Sequence, residues 1–280
     1  MDIKKIYLVY FSPGGNTEKV VKLIGTKLAG ELGAEAYAID FTSPEMRNAQ
    51  YSFDEDALVV FGMPTYAGRV PNKLLAFLQD GFKGNATKAV AVTTFGNRSF
   101  DGSLTELSLE LYKNGFDIFA AASFACQHHF SKAIGTARPD DDDVAEIEKF
   151  ALSIAQWLSK SEANSIEQRN ILAESEVKPY YIPLGEDMQP AKFLKTVPKT
   201  VEELCDGCGV CVKACPVGSI SSDYMTITGP CIKCQACVIK CHSGAKYFDD
   251  EAFLSHIRML ETNYTKRAAN FALIEKTAEV

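Results

Sequence analysis

Lys4-Lys5-Ile6-Tyr7-Leu8-Val9-Tyr10-Phe11-Ser12-Pro13-Gly14-Gly15-Asn16-Thr17 decides how the first half of the chain folds. An unbroken apolar run ended by a Pro-Gly-Gly turn predicts a buried strand over Lys4–Phe11. The glycines let the backbone curl so that several N–H groups converge, and Ser12, Asn16 and Thr17 add polar side chains. A helix starting directly afterwards would complete an anion site with its N-terminus. The loop is not a Walker loop, because the lysine is missing, nor is it G-x-G-x-x-G. A plain strand–turn–helix cap favours the same Ser, Asn and Thr, so both readings stand on this loop alone.

Outward from it, short apolar strands alternate with helical stripes, which points to a parallel α/β sheet. Further strands are expected at Glu35–Asp40, Ala57–Phe61, Lys88–Thr94 and Phe116–Phe124. Amphipathic stripes fall at Val20, Val21, Ile24, Leu28 and Leu32, then at Leu74, Leu75 and Leu78. Two more follow, at Leu104, Leu107 and Leu111 and at Ile147, Phe150, Ile154 and Trp157. Right-handed crossovers gather the loops at the strand C-termini around one crevice. Gly62-Met63-Pro64-Thr65-Tyr66-Ala67-Gly68-Arg69-Val70-Pro71 and Thr93-Thr94-Phe95-Gly96-Asn97-Arg98-Ser99-Phe100 are two of these loops. With the first loop they suit a phosphorylated ligand carrying a flat ring.

Nine cysteines are present, and eight lie between Cys205 and Cys241; Cys126 stands alone. Cys205, Cys208, Cys211 and Cys215, and again Cys231, Cys234, Cys237 and Cys241, follow C-x2-C-x2-C-x3-C. This is the bacterial iron–sulfur run, whose fourth cysteine ligates the other cluster. One [4Fe–4S] cluster is then expected on Cys205, Cys208, Cys211 and Cys241 (cluster I). The other takes Cys231, Cys234, Cys237 and Cys215 (cluster II). Structural zinc uses pairs of cysteines with a longer spacer, and a cytosolic chain disfavours disulfides. The first run ends in Cys215-Pro216, the second in Cys241-His242, so cluster I is expected to be looser or retuned there. Ile220 and the Tyr247-Phe248 pair are placed to keep water from the clusters.

At 280 residues, 46% hydrophobic and 23% charged, the chain has room for two globular domains. A net charge of −7 speaks against a nucleic-acid binder. No stretch reaches the roughly 20 apolar residues of a membrane span. The N-terminus shows no cleavage signal, so a cytoplasmic location is expected.

The loop Ser12-Pro13-Gly14-Gly15-Asn16-Thr17 resembles the S-x-T-G-x-T phosphate loop of the flavodoxin family, with Gly14 where threonine usually stands. The resemblance implies a flavodoxin-like doubly wound five-stranded parallel sheet of order 2-1-3-4-5, binding flavin mononucleotide (FMN). It implies a cofactor site of Ser12, Gly14, Gly15, Asn16, Thr17, Pro64, Thr65, Tyr66, Gly68, Thr94, Phe95, Gly96, Asn97 and Phe100. Tyr66 is the expected stacking partner, with backbone groups of Thr94 to Asn97 at the pyrimidine edge. With Thr94–Arg98, Gly135–Asp140 and the double cysteine run, the whole chain resembles fused flavodoxin–ferredoxin proteins of the EFR-type ferredoxin family. The second part is then a smaller α+β 2[4Fe–4S] ferredoxin domain.

The expected organisation is a flavodoxin-like domain over 1–163, an extended linker over 164–198, a ferredoxin-like domain over 199–250, and a docking C-terminal helix in 251–280. The expected function is electron transfer between FMN and the clusters, with a redox protein as donor or acceptor. Two alternatives are weighed: a flavin-dependent reductase of a small molecule, and a redox sensor or assembly protein. His128 and His129 follow the last strand and are candidate catalytic residues near the flavin edge, although a polar loop there would look the same. Asp140–Asp143 reads as a helix cap, and Arg138 pairs with that run or with the flavin phosphate.

Overall fold

The computed structural model describes residues 3–160 and 168–275. Its first part runs β1 (Lys5–Tyr10), α1 (Asn16–Leu32), β2 (Glu35–Asp40), β3 (Tyr51–Phe53), β4 (Ala57–Pro64), α2 (Leu75–Asp80), β5 (Phe82–Gly84), β6 (Thr87–Phe95), α3 (Ser103–Lys113), β7 (Phe116–Ala125) and α4 (Asp141–Leu158). Strands β2-β1-β4-β6-β7 lie parallel in that order, the flavodoxin-like 2-1-3-4-5 arrangement. Every residue of β4, β6 and β7 is buried, which is why these strands read as mostly apolar runs, with Lys88 of β6 and Asp117 of β7 paired at 2.6 Å. Leu8, Tyr10, Leu58 and Val60 face α1 and α4, where Ile24, Leu28, Ile154 and Trp157 complete one core. Val9, Phe11, Val59 and Phe61 face the other way, against Leu78 of α2 and Leu104 and Leu107 of α3.

The second part contains β8 (Lys199–Thr200), α5 (Val210–Ala214), α6 (Ala236–Ile239), β9 (Lys246–Tyr247), α7 (Glu251–Asn263) and β10 (Phe271–Ile274). The five parallel strands stand as expected, and the C-terminal segment adds a sixth, antiparallel one to the sheet: β10 pairs with β7, Phe271 opposite Ser123. Without it the mostly apolar β7 would be left at an open edge, the liability that covered edges avoid. At its other end β7 is covered by the Arg169–Ile171 backbone, with Ile118 N–H donating to the Arg169 carbonyl at 2.7 Å.

Helix α7 forms by the Asp250 cap, whose carboxylate accepts from Phe253 N–H at 2.9 Å. Its Phe253 ring touches Phe130 beyond β7, Phe193 in the intervening segment and Phe248 beside the cysteines, with centroids 4.8, 5.2 and 5.1 Å away. One side chain thus joins three stretches of chain. Asp140 and Asp143 form a reciprocal capping box at the start of α4. Buried Arg138 pairs with Asp143 at 2.6 Å and donates to the Ala268 carbonyl at 2.7 Å. The acidic run thus takes Arg138 and leaves it no role at a phosphate. The boundary expected at 163/164 and the end of the C-terminal segment, 276–280, lie outside the described residues. Among the described residues no helix is long and apolar enough to cross a membrane.

Candidate cofactor site

A cavity of about 580 Å³ opens at the C-terminal ends of β1, β4, β6 and β7. β1 pairs with β2 on one side and β4 on the other, so the cavity sits at the switch point where doubly wound sheets bind ligands. Gly15 takes φ 92° and lets α1 begin at Asn16 without a side-chain cap. The first turn of this 17-residue helix gets no cap from Gly15, and of its leading amides the third, Glu18 N–H, is taken by Ser12 Oγ. The polar side chains of this loop tie it to its neighbours. Thr17 and Thr94 share a hydroxyl–hydroxyl hydrogen bond of 2.7 Å, Asn16 Nδ2 donates to the Gln127 carbonyl at 2.9 Å, and Ser12 Oγ accepts from Glu18 N–H at 3.0 Å.

The loop after β4 is a tight turn in which Tyr66 and Arg69 exchange backbone hydrogen bonds of 2.8 and 3.1 Å. Ala67 and Gly68 adopt φ 49° and 77°, and a side chain on Gly68 would strike Asp101 at 2.6 Å. Buried Glu106 of α3 anchors the turn, accepting from Arg69 Nε at 2.8 Å and from Val70 N–H at 2.9 Å. Tyr66 lines the cavity, and its hydroxyl is buried without a partner. Burial, then the nearby Cys234 and Cys231, push that hydroxyl well above its ordinary pKa, so it stays a neutral phenol.

His128 and His129 both line the cavity and explain two glycines. A Cβ on Gly96 would lie 2.2 Å from His128 Cδ2, and one on Gly14 would lie 2.0 Å from His129 Cε1. His128 Nδ1 accepts from Phe130 N–H at 3.1 Å. Burial, followed by His129, His256 and Arg98, pushes His128 down to about 3, so it is a neutral imidazole at physiological pH. Burial also lowers His129, outweighing a contact of the ring with the Cys234 backbone that raises it; its Nε2 is buried with no hydrogen-bond partner.

Ser12, Gly14, Asn16, Thr17, Pro64, Thr65, Tyr66, Gly68, Thr94, Phe95 and Gly96 line the same cavity, whereas Gly15, Asn97 and Phe100 do not. Asn97 is buried and turned to the C-terminal segment, with Nδ2 donating to the Tyr264 and Lys266 carbonyls at 2.8 and 2.9 Å. Phe100 packs between Phe95 and Phe271, its centroid 5.6 Å from each. Tyr180, Tyr181, Phe193, Leu194, Lys233 and His256 line the cavity from far along the chain. The first four belong to the stretch expected as an extended linker, Lys233 to the second cysteine run and His256 to the C-terminal helix, and no local pattern marks any of them as cavity lining. Arg98 stacks 3.7 Å over Tyr181, and Lys233 Nζ donates to the Leu194 carbonyl at 2.5 Å.

Cys215, Cys231, Cys234 and Cys237 line one small cavity with Ile220, Ile227, Ile232 and Phe248. This is the set expected for cluster II, and Ile220 and Phe248 stand where they exclude water. Ser219 N–H donates to Cys215 Sγ at 3.2 Å and Lys233 N–H to Cys231 Sγ at 3.4 Å, as backbone donors do around cluster sulfurs. Burial pushes the Cys234 and Cys237 thiols up to about 12, so metal binding must supply the stabilisation that makes them thiolates. Of the other set, Cys208 is exposed and Cys211 buried. Burial raises Cys241 too, but the Ser243 hydroxyl and backbone N–H groups of Lys246, Ala245 and Ser243 outweigh it and hold the thiol low. Cys208, Asp206 and His242 bring one ligand atom each within 4.8 Å of one another at the surface.

The residues fit both kinds of group. The first cavity offers a helix N-terminus without a cap from its N-cap residue, three orphaned buried polar atoms (Tyr66 Oη, His129 Nε2 and Tyr181 Oη) and aromatic walls. The cysteine segment offers thiols in cluster spacing and a dry pocket. A 4Fe–4S binding domain family matches residues 198–221, and a second 4Fe–4S binding domain family matches 228–244. No curated protein matches the chain. Among solved structures it is similar to a flavodoxin from the Archaea (16% identity, 56% of this chain and 99% of that one, TM-score 0.37). Flavodoxin 2 from Bacillus cereus is similar too (18%, 55% and 99%, TM-score 0.40), as is an NADH:FMN oxidoreductase in apo form (18%, 61% and 99%, TM-score 0.41). The fold itself is assigned from the strand order. The chain joins a flavodoxin-like sheet to a 4Fe–4S binding segment, and its role is redox electron transfer.

Proposed function

We propose that the chain transfers electrons between FMN, held in the cavity at the strand ends, and two [4Fe–4S] clusters held by the cysteine runs. One observation carries this reading: Cys231, Ile232 and Cys234 line both the cavity at the sheet and the pocket of the second cysteine set. A single wall, three residues thick in sequence, separates the two. FMN exchanges one or two electrons and each cluster one, so together they join two-electron and one-electron partners.

The residues divide the work of binding. The start of α1 and the Ser12–Thr17 loop would hold the phosphate. Tyr66 and the backbone of Thr94–Gly96 would hold the ring. Cys215, Cys231, Cys234 and Cys237 would hold cluster II, and Cys205, Cys208, Cys211 and Cys241 cluster I. Tyr181 and Phe193, half-buried along one side of the cavity, would limit the water around the ring, which strengthens the electrostatic interactions inside. The exposed Cys208 side of cluster I is where a redox protein would meet the chain.

Anaerobic purification with iron, sulfide and flavin analysis tests the reading. It predicts about eight irons and one FMN per chain, and a colourless, zinc-loaded protein would overturn it. A second reading, reduction of a small molecule in the same cavity, is favoured by the cavity's continuation past the flavin loops to Phe193 and His256. Turnover of a small-molecule acceptor, lost in His128→Ala or His129→Ala under FMN saturation, would support it; no turnover with any acceptor would remove it.

A further inference from the structure

Gly14 differs from the other glycine of its loop. Gly15 needs its positive φ, whereas Gly14 is not in that region, and open space surrounds a Cβ placed on Gly15. The three atoms nearest to a Cβ at position 14 all belong to the imidazole of His129, whose Cε1, Nε2 and Nδ1 would lie 2.0, 2.4 and 2.6 Å away. The ring comes from the far side of the crevice, after β7, and fills the place where a loop side chain would project. Its Nε2 is buried and has no partner. An orphaned polar atom of this kind costs about 1–3 kcal/mol unless a ligand satisfies it.

Resting on the flavin reading above, we propose that His129 is a ligand-binding residue, its Nε2 hydrogen-bonding the phosphoribityl chain of FMN in place of a side chain at position 14. The chain's hydroxyls can donate and its phosphate oxygens accept, so the imidazole meets a partner through either chemistry. Position 14 and residue 129 then form one exchangeable unit: a side chain at 14 or an imidazole at 129, never both.

The test uses the full-length chain with its clusters in place, freed of flavin and titrated with FMN and with riboflavin by flavin fluorescence quenching. His129→Ala weakens FMN binding about tenfold or more, with iron content unchanged. Gly14→Thr alone weakens it at least as much, because the threonine expels the ring. In the His129→Ala background Gly14→Thr causes no further loss, the non-additivity expected of two residues sharing one space. Riboflavin binding falls in step where ribityl hydroxyls are the partner, and is unchanged where the phosphate is. Unchanged FMN affinity in His129→Ala, or additive losses in the double variant, would overturn the assignment while leaving the flavin reading intact. A wild-type chain that binds no FMN would overturn both.

Discussion

The two cysteine runs have one spacing and one backbone course but opposite surroundings. Gly207 and Gly209 in the first run take φ 71° and 70°; Lys233 and Gln235, at the same places in the second, take 54° and 65°. Left-handed backbone costs a residue with a Cβ roughly 1–2 kcal/mol, so the second run is strained where the first is relaxed. The difference follows where each run faces. Cys208 is exposed, beside Asp206 and His242 at the surface. Cys231 and Cys234 border the cavity at the sheet, Lys233 reaches the Leu194 carbonyl, and buried Gln235 lines the cluster II pocket. Strain is retained where side chains have something to touch. The comparison teaches that equal ligand spacing need not mean equal surroundings: the second run borders the cavity at the sheet and the first turns Cys208 to the surface.

The largest expected effect separates the two runs outright. Cys208→Ser and Cys234→Ser each remove one cluster, lowering iron from about eight to about four per chain. Cys234→Ser should also disconnect the flavin from a one-electron donor, because it removes the cluster behind the shared wall. Cys208→Ser should leave cluster II in place and slow the flavin far less. Anaerobic stopped-flow reduction of bound FMN by a one-electron donor protein measures this. Equal slowing by the two substitutions would break the comparison.

The strain itself can be read with changes of opposite sign. Gly209→Ala puts a Cβ at φ 70° and should cost about 1–2 kcal/mol, lowering Tm by about 2–4 °C per kcal/mol in the cluster-loaded chain. A Cβ at Gly209 would meet only Tyr224, at 3.5 Å, so sterics add little. Gln235→Gly relieves the matching strain and should raise Tm, unless its buried amide is needed for cluster binding. Thermal unfolding followed by circular dichroism under anaerobic conditions decides it, and a loss of similar size in both variants would show that the conformations are not equivalent.

What could be read in the sequence was whatever local pattern controls. β4, β6 and β7 are buried on both faces and so appear as mostly apolar runs; the cysteine spacing is dictated by the shape of a cubane. What could not be read depends on contacts between distant residues. The four residues of β10 are too few to carry a period, and only β7's bare edge makes them a strand. The side-chain amide of Asn97 is tied to Arg138, to Ala268 N–H and to the Tyr264 and Lys266 carbonyls, partners from distant stretches of chain that no local pattern announces. Gly14 read as a lost hydroxyl until His129 was seen filling its place. Nothing near position 66 foretold that Tyr66 would stand beside Cys231 and Cys234, some 165 residues away along the chain.

A smaller effect should be confined to one cluster. Gln235 Nε2 is buried without a partner in the cluster II pocket, the position of an N–H donor to a cluster sulfur. Such donors stabilise the more negative, reduced state, so Gln235→Leu should lower the potential of cluster II and leave cluster I where it is. A redox titration followed by electron paramagnetic resonance resolves the two, and a shift of cluster I alone would reverse the assignment of inner and outer clusters.

The smallest effect is expected at His242, the one place where the second run departs from the first in its final dipeptide. His242 Nε2 and Asp206 Oδ2 lie 2.9 Å apart, both well exposed, and an exposed pair of this kind contributes at most about 1 kcal/mol. His242→Pro loses that contact but restricts the unfolded chain, a gain of about 0.4–1 kcal/mol where the backbone allows it. Asp206 keeps its other bond, accepting from Cys208 N–H at 3.2 Å, so the first run's loop stays capped. The two terms oppose each other and nearly cancel, so Tm and iron content should match those of the natural chain, again by anaerobic circular dichroism and iron analysis. Loss of four irons on this single change would mean that His242 holds cluster I together, and that the outer run depends on its surroundings as much as the inner one.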